Sequence, residues 1–166
     1  MKKIYVTLSI FLIVILSSCS MQEKMNPEIF IERLISNSEI TIKNEFFENE
    51  KYICYFSDKS NCNFIIRIDS DSGRNAKKIC LACTETSKTE NFKSMTETVI
   101  KTFAPNEKID EILSSLFSEE WNYYNSQWYR YSSAVSEKGL YFSIESVKLS
   151  TQTDAEMTLK PNNFSP

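Results

Sequence analysis

Apolar residues recur at two different spacings along the chain, and the change of spacing marks the predicted elements. Between residues 26 and 37 they recur every three or four positions, as on one face of an amphipathic helix. Asn26 and Pro27 suit a helix N-cap and a first helical turn, and we expect this helix to end near Asn37. After residue 40 the spacing falls to two, which predicts β-strands. These strands cover roughly 44–57, 62–69 and 76–84.

The alternation within the three strands predicts which side chains are buried. If residue 57 faces residue 62, and residue 69 faces residue 76, one face of the sheet collects only apolar or aromatic side chains, as a core face should. This face consists of Ile53, Tyr55, Phe64, Ile66, Ile68, Ile79 and Leu81. The other face is mixed and consists of Tyr52, Cys54, Phe56, Asn63, Ile65, Arg67, Lys78, Cys80 and Ala82.

The second half of the chain predicts two helices and then two more strands. Ser87-Lys88-Thr89-Glu90 has the sequence of a capping box and opens a helix that ends before Pro105, and a second helix follows. Strands at about 127–135 and 140–149 are joined by Ser136-Glu137-Lys138-Gly139, which is typical of a hairpin turn. The order α-βββ-αα-ββ predicts an α+β domain: one antiparallel sheet of about five strands with helices on one face.

The first twenty residues differ in character from the rest of the chain. Lys2 and Lys3 precede an apolar run from Ile4 to Leu16, which is too short to cross the roughly 30 Å hydrocarbon core of a bilayer comfortably. A charged start followed by a short apolar run is typical of a secretory signal. The run ends in Leu16-Ser17-Ser18-Cys19, which resembles the lipobox of bacterial lipoprotein precursors.

This resemblance implies that a diacylglyceryl group is attached to the Cys19 thiol and that the chain is cleaved before it. Acyl chains such as palmitate would hold the protein on the extracytoplasmic face of a cell membrane or an outer membrane. An ordinary signal peptide or an uncleaved anchor, with a chance cysteine, is the alternative. The resemblance covers residues 1–20 only, and the remaining motifs indicate no particular family. The chain then divides into a signal peptide (1–18), a lipidated cysteine and tether (19–25), the α+β domain (26–149) and a flexible tail (150–166).

Composition narrows the chemistry of the folded part. The chain has no histidine, which excludes Ser-His-Asp and Cys-His catalysis and every His-ligated metal site. Gly73 and Gly139 are its only glycines, so it has no Gly-rich loop for phosphate. Removal of residues 1–18 lowers the net charge from −3 to −5, and no basic segment predicts a nucleic-acid partner. We expect a non-catalytic protein without a metal or cofactor beyond the lipid.

Four cysteines follow Cys19, and an even number in an exported chain favours disulfides. The predicted register places Cys62 directly opposite Cys83 on the core face, within disulfide reach. Cys54 and Cys80 would lie on the other face with a strand between them, about 9.5 Å apart and too far to bond. We therefore predict a Cys62–Cys83 disulfide, with four buried thiols as the alternative.

Two functions from different classes fit these features. The first is a non-catalytic binding or accessory module that contacts an envelope protein or a surface ligand. Its contact surface would be an aromatic cluster that includes Trp121, Tyr124 and Trp128, although such side chains also pack cores. The second is thiol–disulfide or metal chemistry at Cys80 and Cys83. A strand at these residues would send the two sulfurs to opposite faces, which counts against the second function.

Overall fold

A computed structural model describes residues 25–118 and 122–147. These residues form three helices and one seven-stranded antiparallel sheet with the strand order β1-β2-β3-β4-β7-β6-β5. The helices are α1 (Pro27–Asn37), α2 (Thr89–Phe103) and α3 (Ile109–Leu116). The strands are β1 (Ile40–Glu48), β2 (Lys51–Asp58), β3 (Asn63–Ser70), β4 (Ala76–Cys83), β5 (Tyr123–Asn125), β6 (Tyr129–Ser136) and β7 (Gly139–Ser146). The predicted signal peptide, Cys19, Trp121 and the tail from residue 150 lie outside the described residues.

The α+β class and the single antiparallel sheet are confirmed, but the expected five strands and their order are wrong. The segment predicted as one strand, 44–57, contains a turn at Asn49 and Glu50, whose φ angles are 49° and 63°. Two successive positive φ angles define a tight hairpin turn, so this segment belongs to two paired strands, β1 and β2. The three-residue strand β5 was also not predicted. The observed order is α-ββββ-αα-βββ.

Local signals locate the start of α1 but not that of α2. The Asn26 side chain caps α1 by accepting a hydrogen bond from the backbone N–H of Ile29 at 2.8 Å. At α2 the predicted capping box is wrong, because Lys88 is the N-cap and no side chain caps the helix. A capping box needs Ser or Thr at the N-cap and Glu three residues later, whereas Glu90 comes only two residues after Lys88.

The core lies between the helices and one face of the sheet. Strands β3 and β4 bury the predicted side chains, which are Phe64, Ile66, Ile68, Ile79 and Leu81. Their pairing differs by two residues from the prediction, since Ile68 rather than Ile66 pairs with Ile79. A shift of two residues leaves every side chain on its predicted face.

Strand β2 presents the opposite face from the one predicted. It buries Tyr52, Cys54 and Phe56, whereas Tyr55 is exposed and Ile53 is half-buried. The cause is the turn before β3: Ser57 pairs with Asn63 and not with residue 62. A shift of one residue moves every side chain of a strand to the other face.

The two edges of the sheet are irregular or short. Strand β1 has a bulge at Lys43, because Ile42 pairs with Phe56 and Asn44 pairs with the adjacent Tyr55. Strand β5 at the other edge has only three residues. Near one end of the sheet, six charged residues of alternating sign occupy successive cross-strand positions, namely Glu48, Lys51, Asp69, Lys78, Glu145 and Arg130.

The predicted hairpin between the last two strands is present. Ser136 pairs with Gly139, so Glu137 and Lys138 form a two-residue turn between β6 and β7. Gly139 has a φ angle of +148°, which L side chains rarely adopt. No helix within the described residues has the length and apolar character needed to cross a membrane.

Candidate functional site

Cys62 and Cys83 meet in the core at one end of the sheet. Their Sγ atoms are 3.4 Å apart, and the two side chains are 0% and 1% exposed. Both residues are free thiols, since a disulfide bond would bring the sulfurs to about 2.05 Å. The disulfide therefore stays a prediction, but the two sulfurs that it would join are already neighbours.

The turn that carries Cys62 is held by side chains on both sides. Asp58 Oδ1 accepts hydrogen bonds from the backbone N–H groups of Ser60 and Cys62 at 2.8 and 2.9 Å. Its Oδ2 atom accepts from Asn91 Nδ2 of helix α2 at 2.8 Å. Beyond the turn, Glu85 Oε1 accepts from the backbone N–H of Asn63 at 3.2 Å. These bonds hold Cys62 against the last residue of β4.

The surroundings of the buried thiols disfavour the thiolate form. Burial raises the pKa of Cys62 to about 12, and its hydrogen bond with Cys83 and the nearby carboxylates of Asp58 and Glu85 act in the same direction. Burial, aided by Glu45, raises the pKa of Cys54 to about 11. Reactive cysteines need a lowered pKa and access to solvent. The Cys62–Cys83 pair therefore suits a structural role better than catalytic thiol exchange.

Cys80 and Cys83 lie on opposite faces of strand β4. Cys83 is buried in the core, whereas Cys80 is on the face away from the helices, where Arg67 Nη2 lies 3.7 Å from its Sγ atom. Burial raises the pKa of Cys80, although the cations of Arg67 and Lys78 oppose this rise. Two sulfurs on opposite sides of one strand cannot reach each other. In the described segments no group of three or more potential ligands could hold a metal ion.

The predicted location of Cys54 on the same face as Cys80 is wrong. Cys54 is fully buried on the core face, because β2 is inverted by the turn before β3. Cys80 is partly exposed on the outer face, with strand β3 between the two residues. A bond between them would have to cross the sheet as well as a neighbouring strand, so the geometry excludes it more firmly than the prediction did.

Two of the three predicted contact residues lie in the described part of the chain, and both pack against the core. Tyr124 and Trp128 are half-buried. The Tyr124 hydroxyl donates to Glu111 Oε2 at 3.3 Å, and its ring centroid lies 6.0 Å from that of the buried Tyr131. The Trp128 carbonyl accepts from the Val147 N–H at 2.8 Å. Their role as a contact surface stays a prediction.

Two grooves formed by residues far apart in the sequence were not predicted. The first, of about 630 Å³, lies between the end of α1, the Asp58–Ser60 turn and helix α2, and its lining is rich in hydroxyl and amide groups. The second, of about 500 Å³, lies between the start of α2, the end of α3 and the β6–β7 hairpin. It contains Phe117 and Val135, and the Lys93 ammonium lies 5.9 Å from the Phe117 ring centroid.

Comparison with family models, with curated proteins and with solved structures found no match to this chain. No sequence signal could have revealed the grooves, because each is assembled from three separate segments.

Proposed function

We propose that this protein is a lipid-anchored, extracytoplasmic envelope protein that acts as a non-catalytic binding or accessory module. The observation that carries this proposal is Leu16-Ser17-Ser18-Cys19, which follows a charged start and a short apolar run. Its resemblance to a lipobox implies acylation of Cys19. A double or triple acyl anchor holds a protein durably, whereas a single chain binds reversibly.

The chemistry of the described residues supports a non-catalytic role. The carboxylates of Asp58 and Glu85, which lie nearest the thiol pair, accept backbone hydrogen bonds and hold loops in place. Burial favours the protonated form of Cys54 and Cys62, so neither suits nucleophilic attack. Groups that serve structure in this way do not form an acid–base or nucleophilic site.

The groove between α2, α3 and the β6–β7 hairpin supports a binding role. Val135 is 76% exposed beside it and Phe117 lines it, so an apolar side chain of a partner protein would find apolar surface there. Ser118 and Asn122 also line this groove, and they flank Trp121 in the sequence. This link supports the predicted contact role of Trp121.

The alternative function, thiol–disulfide or metal chemistry at Cys80 and Cys83, has less support. The two residues occupy opposite faces of β4, and Cys83 is 1% exposed. A redox dithiol needs two adjacent sulfurs and a low-pKa thiol at the surface. Rapid alkylation of both cysteines at neutral pH in the folded protein would favour this alternative.

Metabolic labelling with palmitate tests the anchor. The full chain produced in a bacterial host should incorporate label and sediment with membranes, and Cys19→Ser should do neither. Cys62→Ser is the matched control, since it removes another thiol but leaves the lipobox intact. Labelling of Cys19→Ser would refute acylation at Cys19.

Substitution of the tryptophans tests the binding role. We expect Trp121→Ala to reduce cross-linking to an envelope partner while thermal unfolding stays unchanged. Trp128 packs against the core, so Trp128→Ala should lower the unfolding temperature. If Trp121→Ala merely unfolds the domain, Trp121 is a core residue and its proposed contact role is wrong.

A further inference from the structure

The strands define two ends of the domain, and the described chain begins at one of them. The Ala76 N–H, at the start of β4, donates to the Met25 carbonyl at 2.7 Å. The β1–β2 turn at Asn49-Glu50 and the loop before Tyr129 lie at this same end, which we call the Met25 end. The opposite end holds the Asp58–Cys62 turn and the β6–β7 hairpin, and we call it the Asp58 end.

The distance along the chain from Cys19 to Met25 is short. Met25 is the sixth residue after Cys19, and an extended chain spans about 3.3–3.6 Å per residue, so the two Cα atoms can be at most about 22 Å apart. Strand β4 has eight residues, which places the Asp58 end roughly 26 Å farther away. A lipid on Cys19 therefore keeps the Met25 end near the bilayer.

Exposed apolar side chains lie at the Met25 end, on both sides of the point where the chain enters. Phe47 is 52% exposed beside the β1–β2 turn, and Ile29 is 40% exposed in the first turn of α1. Trp128 lies half-buried in the loop before β6. From β4, strand β1 is three strand spacings away, about 14 Å, and β6 is two spacings away, about 10 Å. Aromatic side chains of this kind favour the headgroup layer of a bilayer.

Charges of both signs lie near this end. The row of six charged residues described above alternates in sign from strand to strand and has no net charge, and Glu28 and Glu50 add two carboxylates at this end. The Asp58 end also carries exposed apolar residues, Val135 at 76% beside one groove and Ile35 at 42% beside the other, so the short tether and not apolar exposure distinguishes the two ends. Both grooves are lined by residues of this far end, such as Asp58 and Leu140.

We propose that the Met25 end lies against the surface of the bilayer that holds the anchor, with Phe47 and Trp128 in the headgroup layer and both grooves directed away from the membrane. This inference rests on the proposed acylation of Cys19. It assigns Trp128 a lipid contact rather than a protein contact, and it leaves the groove beside Val135 as the surface that a partner can reach.

Photo-cross-linking from lipids tests this orientation. The acylated full chain would be reconstituted in vesicles of phosphatidylethanolamine and phosphatidylglycerol that contain a phospholipid with a headgroup diazirine. After illumination, mass spectrometry should find lipid adducts at residues 46–51 and 126–129, and few at 58–62 or 136–139. Phe47→Ser should lower the yield at 46–51 by more than half. The matched variant Val135→Ser, which removes an exposed apolar residue at the other end, should leave that yield unchanged.

The outcomes separate this proposal from the anchor on which it rests. Adducts concentrated at 58–62, at 136–139 or on the outer sheet face would overturn the orientation, as would the absence of adducts on vesicle-bound protein. A chain that fails to float with the vesicles would instead refute the anchor, and the orientation with it. Unchanged thermal unfolding of Phe47→Ser excludes loss of the fold as the cause of a lower yield.

Discussion

Replacement of Gly139 by alanine should destabilise the domain, because the added Cβ atom would clash with backbone atoms. Gly139 follows the two-residue turn between β6 and β7 with a φ angle of +148°. A Cβ atom there would lie 2.5 Å from the Cys83 carbonyl oxygen and 3.3 Å from Thr84 Cα. Because these are backbone atoms at the end of β4, no side-chain rotation can relieve the overlap. The strand end or the hairpin must move.

The size of the effect follows from two contributions. A residue with a side chain in such a sparsely populated backbone conformation costs of order 1–3 kcal/mol. Displacing the end of β4 weakens at least one hydrogen bond between β4 and β7, which contributes about 1 kcal/mol. We therefore expect Gly139→Ala to lower the free energy of unfolding by about 3 kcal/mol. For a domain of this size that corresponds to a fall of roughly 10 °C in the unfolding temperature.

The other glycine of the chain provides the matched control. A Cβ on Gly73 would meet only side-chain atoms, Asn75 Nδ2 at 2.9 Å and Asp71 Oδ1 at 3.2 Å. Asn75 Nδ2 can rotate away at the loss of its 3.3 Å hydrogen bond to Asp71 Oδ1, and Gly73 has no positive φ angle, so Gly73→Ala should lower stability by only about 1 kcal/mol. Urea unfolding followed by tryptophan fluorescence would measure both variants. Equal losses, or a harmless Gly139→Ala, would refute the hairpin geometry and the close approach of Gly139 to Cys83.

Three further predictions concern the core and the thiols. Ile66→Ala should lower the free energy of unfolding by about 2–5 kcal/mol, and Ile35→Ala, at a residue that is 42% exposed, by much less; urea titration compares them. The free energy of unfolding should fall as pH rises from 9 towards 11–12. In the folded state Cys54 and Cys62 have pKa values of about 11 and about 12, so they keep their protons at a pH where the unfolded chain has lost them. A free energy of unfolding that does not change over this pH range would contradict the burial of the thiols. After oxidation, peptide mapping should find Cys62 bonded to Cys83. The free energy of unfolding of the oxidised form should exceed that of the reduced form by about 3 kcal/mol, because the bond closes a loop in the unfolded chain. A disulfide to Cys54 would contradict the register.

Those parts of the fold that depend on local signals were predictable from the sequence. The side chain of Asn26 caps α1 within its own first turn, and Gly139 allows the tight hairpin that follows Ser136. Alternation in β3 and β4 identified their buried side chains correctly, since polar residues such as Arg67 and Lys78 mark the outer face.

Strand β2 was not predictable by the same reasoning. It has apolar or aromatic residues at five successive positions, 52–56, so both faces look suitable for burial and alternation cannot choose between them. The choice was made by the length of the turn that follows, where Asp58 holds the loop by hydrogen bonds that no periodic pattern reveals. The turn at Asn49-Glu50 was missed because Glu50 takes the place of the glycine that usually follows Asn in a hairpin turn with two positive φ angles.

The candidate site, too, was predictable only where it depends on the alternation within strands. The neighbouring positions of Cys62 and Cys83 were expected from the alternation of β3 and β4, although the register behind that expectation was wrong by two residues. The two-residue error did not change the face of either side chain. The grooves needed the relative positions of helices and turns, which are set by packing between distant segments.

The bulge at Lys43 has a consequence for how molecules behave at high concentration. Strand β1 is nine residues long, carries the exposed Phe46 and Phe47, and pairs on one side only among residues 25–118 and 122–147, so its other edge is a surface on which another chain could extend the sheet. The extra residue breaks the regular spacing of free N–H and C=O groups, so an incoming strand can match only part of that edge. Strand β5, at the opposite edge of the sheet, has only three residues and so presents even fewer backbone groups to an incoming strand. Copies at high concentration can therefore stay separate molecules instead of growing into fibrils.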